Sequence, residues 1–211
     1  LEPHFPQELS VSLGAVAVSP LNLTQAYAAF ANKGLGVRPR IITSIADPKG
    51  RVLYRQDVEQ WQALSPQNAF MMATLLKQVV NAGTGSRAKV PGYNIAGKTG
   101  TTNEEHDAWF VGFSPHLVTG IYVGYDQLQS LGRLEQGGRT AAPIFRTYRV
   151  EVENRYPADD FVMPEGIVMR DGLAFRSDMP IEGASATAPS TGDDSVVDTS
   201  QGGEDLMRQM F

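Results

Sequence analysis

Cysteine is absent from the 211 residues. That excludes a disulfide framework and every thiolate metal site, and it is compatible with an oxidising compartment without establishing one. Any apolar run approaching eighteen residues is also missing, so no segment is expected to cross a bilayer as a helix. Basic runs are missing too, and the net charge of −5 argues against a general nucleic-acid binder. Only three histidines occur, and His4, His106 and His116 share no metal-ligand spacing. There is no internal repeat. The chain starts at Leu1 with nothing resembling a signal peptide, and the expectation is an internal piece or processed product of a longer protein.

What remains is an ordinary globular composition, 42% hydrophobic and 19% charged, with length enough for one domain and a real core. Ser19-Pro20 joins an N-cap residue to a first-turn proline, and Leu23, Ala26, Tyr27 and Phe30 follow at helical spacing up to Gly34. Ser65-Pro66 repeats that start signal for a second helix, carried by Phe70, Met71, Leu75, Leu76, Val79 and Val80 to about Asn81. Between them, Arg40 to Asp47 and Arg51 to Tyr54 read as strands around a Pro48-Lys49-Gly50 turn. Three further strands are predicted at about 93–102, 108–113 and 117–125, with links short enough for antiparallel neighbours. Ala142-Pro143 opens a helix to about Arg155. The fold class is therefore α/β (α+β), an antiparallel sheet with helices against its faces. A main unit over 1–156 is followed by a short β-containing extension over 157–182. From Gly183 the small polar residues cannot bury enough surface to offset ordering entropy, and 183–211 is expected to be disordered.

The most informative stretch is Ala96-Gly97-Lys98-Thr99-Gly100-Thr101-Thr102, which carries two motifs at once. Gly92 to Thr99 has the spacing of a phosphate-binding P-loop. That reading needs a buried strand before Gly92 and a helix beginning at Lys98. Lys89-Val90-Pro91 is no central strand, and Gly100-Thr101-Thr102-Asn103 is a poor helix former, so the nucleotide reading stays a remote alternative. The other motif, Lys98-Thr99-Gly100, is an established box of enzymes that acylate a serine with a β-lactam or D-alanyl peptide. On a strand, period two puts Thr99 and Thr101 on one face, where both hydroxyls can grip a carboxylate. Lys98 then lies on the alternate side as a fixed cation, Gly100 permits close approach of a neighbour, and the Thr101 backbone N–H is placed to stabilise an oxyanion.

The chain resembles the C-terminal part of the transpeptidase domain of bifunctional (class A) penicillin-binding proteins. The resemblance rests on segments that occur in order: Val18 to Gly34; Gly83-Thr84-Gly85; Ile95 to Asn103; Asp107-Ala108-Trp109-Phe110-Val111-Gly112-Phe113; and Gly137-Gly138 with Ala141-Ala142-Pro143-Ile144-Phe145. It implies a penicillin-binding-protein/serine β-lactamase-like fold, present in part. It also implies attack of a serine on the D-alanyl-D-alanine end of a peptidoglycan stem peptide, and resolution of the acyl-enzyme by a neighbouring stem amine. Lys98, Thr99, Gly100 and Thr101 correspond to the third box. No cofactor is implied. The implied partners are stem peptides, β-lactams and the upstream half of the same domain, at the extracytoplasmic face of the cytoplasmic membrane. A non-catalytic β-lactam-binding or scaffold module of the same fold is the alternative.

The family's Ser-x-Asn box is nowhere in the chain, and the one Ser-x-x-Lys is Ser86-Arg87-Ala88-Lys89. Pro91-Gly92 would stop a helix there at once, and about a dozen residues before Lys98 leave no room for a middle box, so Ser86 reads as a loop serine. The nucleophile is expected outside this chain. Glu104, Glu105 and His106 read as a solvated turn between strands. Alternation turns one of Trp109 and Phe110 inward. Arg139 reads as a surface charge, and Met71 and Met72 as helix packing.

Overall fold

The computed structural model describes residues 16–179 continuously and, before them, Glu8, Leu9, Val11 and Gly14. The expected disordered stretch over 183–211 and most of the N-terminal segment lie outside the described residues. Helix α1 spans Pro20–Ala31 and α2 spans Pro66–Asn81. Both begin as the dipeptides predict. The Ser19 hydroxyl accepts the Asn22 N–H, the Ser65 hydroxyl accepts the Asn68 N–H, each at 3.2 Å, and a proline fills the first helical position.

Between the helices the chain runs through β1 (Leu35–Val37), β2 (Ser44–Ala46), β3 (Val52–Arg55) and β4 (Gln60–Gln62). The β2–β3 hairpin matches the expected turn: Asp47 Oδ1 accepts the N–H groups of Lys49 and Arg51, both at 2.9 Å. The first of the two expected strands is much shorter than Arg40 to Asp47. Ile41 and Ile42 are exposed, so nothing packs on them to hold the chain in a ladder. The β1–β4 pair had no sequence signal, because three-residue strands carry no periodicity to read.

The central sheet is β5 (Ala96–Thr101), β6 (Asp107–Phe113) and β7 (Val118–Gly124), antiparallel in that order, so β5 stands at an edge. Helix α3 (Ala141–Val152) continues into a 3₁₀ turn, Glu153–Arg155, and the hairpin β8 (Ile167–Arg170) and β9 (Leu173–Arg176) follows. The latter half of the chain returns along α2: Lys77 pairs with Asp160 at 2.7 Å, and the Gln67 amide donates to the Glu165 carbonyl. Among the described residues no helix is long and apolar enough to cross a membrane.

Alternation along β6 divides the core. Phe110 points to one face and packs with Val80, Ile95, Ala141, Ala142 and Phe145. Phe113 points to the other, against Ala73, Leu76 and Ala96, with Tyr27 and Phe30 of α1 beside it. The Phe110 and Phe145 rings meet edge-on at 4.8 Å. Burying a phenylalanine contributes about 1.5–3 kcal/mol, so these rings clamp α3 onto the sheet beneath the lysine strand.

A buried cation does the same at the far end of α3. Arg149 is 0% exposed and Glu153, one helical turn on, is 1% exposed. The guanidinium bonds Glu153, donates to the Leu117 carbonyl at 3.1 Å and to Ser114 Oγ at 2.9 Å, and sits 5.1 Å over the Phe145 ring. The β6–β7 turn is thereby tied to the end of α3.

Candidate functional site

Lys98, Thr99, Gly100 and Thr101 all lie on β5, in register with Val111, Phe110, Trp109 and Ala108 respectively. The lysine is within an extended strand, with three strand residues after it. A P-loop lysine opens a helix, so the nucleotide geometry is excluded.

The direction of each backbone group follows from the ladder. Thr102 N–H donates to the Asp107 carbonyl at 3.2 Å. Antiparallel pairs alternate between bonded and non-bonded, so Gly100 and Lys98 also bond across to β6. Thr99 and Thr101 therefore turn their N–H and C=O groups to the open side of β5, where the sheet has no further strand. A developing oxyanion resting there meets the Thr101 N–H directly.

Side chains alternate as period two requires. Thr99 and Thr101 share the face of Phe110 and Ala108; Lys98 and Gly100 share that of Val111 and Trp109. Lys98 is exposed, and its Nζ donates to the Thr99 carbonyl at 3.2 Å along the open edge. Among the described residues no carboxylate pairs with it. A fixed cation thus lies beside two hydroxyls and an outward N–H, a set suited to an anionic ligand with a polarised carbonyl.

Two loops hold the threonines. Thr84, in the turn after α2, places its Oγ1 2.9 Å from Thr99 Oγ1. Gly137 N–H donates to Thr101 Oγ1 at 3.2 Å. Gly137 lies flat on the strand pair: a Cβ there would stand 2.3 Å from the Trp109 carbonyl oxygen and 2.5 Å from that of Gly100. Only glycine allows this approach, which brings the entry of α3 against the lysine strand. Thr84 and Gly137 were legible in the sequence only as parts of Gly-Thr-Gly and Gly-Gly loops. Which strand a loop returns to is a tertiary fact.

The remaining candidates stand apart from this edge. Ser86 is exposed on a single 3₁₀ turn, Ser86–Ala88, and Lys89 beyond it is extended, so no helix joins the two. Glu104 and Glu105 occupy a turn between β5 and β6, both with left-handed backbone, and His106 meets Glu104 at 3.5 Å. Arg139 is exposed. Phe110 is the inward member of its pair, while the Trp109 ring meets that of Tyr122 at a tilt, their centroids 4.7 Å apart. The Tyr122 phenol donates to Asp107 at 2.9 Å, which holds it protonated above the usual tyrosine range. A cavity of about 610 Å³ lies between the end of α1, the start of α2 and Pro115-His116, and none of Lys98 to Thr101 lines it.

Residues 6–148 match the family model of the penicillin-binding protein transpeptidase domain. Penicillin-binding protein 1A of Aquifex aeolicus is 44% identical over 170 residues, an alignment that covers 80% of this chain and 23% of that protein. The crystal structure of penicillin-binding protein 1A from Haemophilus influenzae superposes with a TM-score of 0.71 at 29% identity, over 78% of this chain and 30% of that one. Penicillin-binding protein A of M. tuberculosis, solved as an imipenem acyl-enzyme complex, superposes at 0.52 and 29% identity, over 63% of this chain and 30% of that one. The chain thus spans about a quarter of the length of the curated relatives it matches.

Proposed function

This chain belongs to the penicillin-binding-protein transpeptidase family, and we propose that it supplies the lysine-strand side of a serine D,D-transpeptidase that cross-links peptidoglycan. The observation that carries the reading is the open edge of β5. It gathers the exposed Lys98 ammonium, the outward Thr101 N–H and the two hydroxyls of Thr99 and Thr101.

In this reading a serine from elsewhere in the whole polypeptide attacks the carbonyl between the two D-alanines of a stem peptide. The Thr101 N–H stabilises the oxyanion, the C–N bond breaks, and D-alanine leaves after gaining a proton. An amine of a neighbouring stem then attacks the acyl-serine, returns the serine oxygen its proton and forms the cross-link. Thr99 and Thr101 hold the terminal carboxylate of the donor peptide. Lys98 sets a positive field at the reacting centre and favours deprotonation of neighbouring hydroxyls. A β-lactam bears the same carboxylate beside a strained amide and is trapped at the same serine. The acyl-enzyme of the M. tuberculosis relative supports that expectation. The site works at the extracytoplasmic face of the cytoplasmic membrane, where the substrate lies.

The test is covalent labelling of the whole polypeptide with a fluorescent penicillin. Lys98→Ala is expected to slow acylation by at least about a hundredfold, the usual range for loss of a group that acts on a transferred proton. Residues 1–211 alone are expected not to label. An adduct traced to Ser86 would overturn the assignment, and saturable but non-covalent penicillin binding by the whole polypeptide would favour a non-catalytic module.

A further inference from the structure

A hydroxyl has one proton to donate and two lone pairs to accept with, and what its neighbours take decides what a ligand finds. Thr101 Oγ1 accepts the Gly137 N–H, and an amide N–H cannot accept in return. The Thr101 proton is therefore free to point out of the strand. Thr99 Oγ1 has a different neighbour, the hydroxyl of Thr84 at 2.9 Å, and one of the two must donate. When Thr84 donates, Thr99 also has a free proton, and two parallel O–H donors leave the same face of β5.

The position of Thr84 is rigidly set. Gly83 N–H and Gly85 N–H bond the last carbonyls of α2, the latter to Val79 at 3.0 Å, and Gly85 packs against Phe110. On the other side the Thr84 carbonyl abuts Gly138, where a Cβ would stand 2.6 Å from it. The turn after α2 and the loop before α3 thus wedge the Thr84 hydroxyl against Thr99 from outside the strand.

We propose that Thr84 is a positioning residue for carboxylate recognition. It donates its proton to Thr99, so that Thr99 and Thr101 present two O–H donors to the terminal carboxylate of the ligand. The inference rests on the transpeptidase reading of the site and adds to it the group that sets the polarity of its anion-binding pair. With Thr84 removed, Thr99 keeps its proton but loses the neighbour that orients the hydroxyl and polarises it, so the proton is shared between ligand and water.

The experiment compares Thr84→Val and Thr84→Ser with the wild-type whole polypeptide. Acylation kinetics are measured with a penicillin and with its methyl ester, and thermal unfolding is recorded in parallel. For the free acid, Thr84→Val is expected to weaken the non-covalent step about tenfold, because the Thr99–carboxylate bond loses the donor that orients and strengthens it, with little change in the saturating acylation rate. The ester reaction is expected to be equally slow in wild type and Thr84→Val. Thr84→Ser is expected to restore wild-type behaviour. Equal losses for acid and ester, failure of serine to rescue, or wild-type kinetics in Thr84→Val would each overturn the proposal while leaving the transpeptidase reading intact. If wild type forms no penicillin adduct, both fall.

Discussion

Replacing Gly137 by alanine inserts one carbon into a contact that has no room for it. The new Cβ would stand 2.3 Å from the Trp109 carbonyl oxygen, 2.5 Å from that of Gly100 and 3.1 Å from the Gly100 nitrogen. A relaxed C···O contact is roughly 3.3 Å, so the loop must retreat by about 1 Å from a pair of hydrogen-bonded strands that cannot give way themselves. The retreat takes the Gly137 N–H, now 3.2 Å from Thr101 Oγ1, out to roughly 4 Å and past hydrogen-bond range. Overpacking of this kind costs about 1–3 kcal/mol, and the lost bond about 1 kcal/mol more. The expected total is about 2–4 kcal/mol off the stability of the unit, with acylation slowed at least about tenfold because Thr101 loses its restraint. Calorimetry of the whole polypeptide, reading the transition that a bound β-lactam shifts, measures the first quantity, and penicillin labelling measures the second. Gly92→Ala is the control. Its φ is +83°, yet nothing lies within 4 Å of an added Cβ, so it carries only the conformational cost and leaves labelling unchanged. Wild-type labelling together with an unshifted transition in Gly137→Ala would refute the claim that this contact sets the lysine strand.

Two further outcomes follow from buried polar groups. Arg149→Met strands the Glu153 carboxylate and is expected to cost about 3–5 kcal/mol, whereas Arg149→Met with Glu153→Leu is expected to recover part of that loss, read as chemical-denaturation midpoints. Burial pushes the Tyr27 phenol above its ordinary pKa of 10.0, so the folded state holds that proton more tightly than the unfolded state does. The contribution is complete below the unfolded value and is lost as pH rises from there through the folded pKa, so stability falls in alkali. Tyr27→Phe is expected to flatten that alkaline limb, as followed by unfolding midpoints against pH.

The parts of the fold that could be read from the sequence are those whose signals are local. Ser19-Pro20 and Ser65-Pro66 mark helix starts because a cap hydroxyl and a proline satisfy the first turn whatever lies beyond it. The lysine strand was legible because threonines alternate along it and glycines deny it a helix. What escaped the sequence depends on partners far along the chain. Arg149 reads as one more surface charge on an amphipathic helix until Ser114, Leu117 and Glu153 are seen to surround it. The grip of Thr84 on Thr99 joins positions fifteen residues apart through two glycines and a turn, and no periodicity reports such a contact.

The loop that leads into α3 touches the lysine strand through Gly137, and the helix is bolted to the Ser114–Leu117 turn at its exit through Arg149. Twelve residues at 1.5 Å each make a bar roughly 18 Å long, packed against β6 and β7. A rigid bar pinned at both tips transmits displacement instead of absorbing it. A change at Ser114 is therefore expected to reach the neighbourhood of Thr101 as a tilt of the whole bar, and under the proposed function it would slow acylation from a distance.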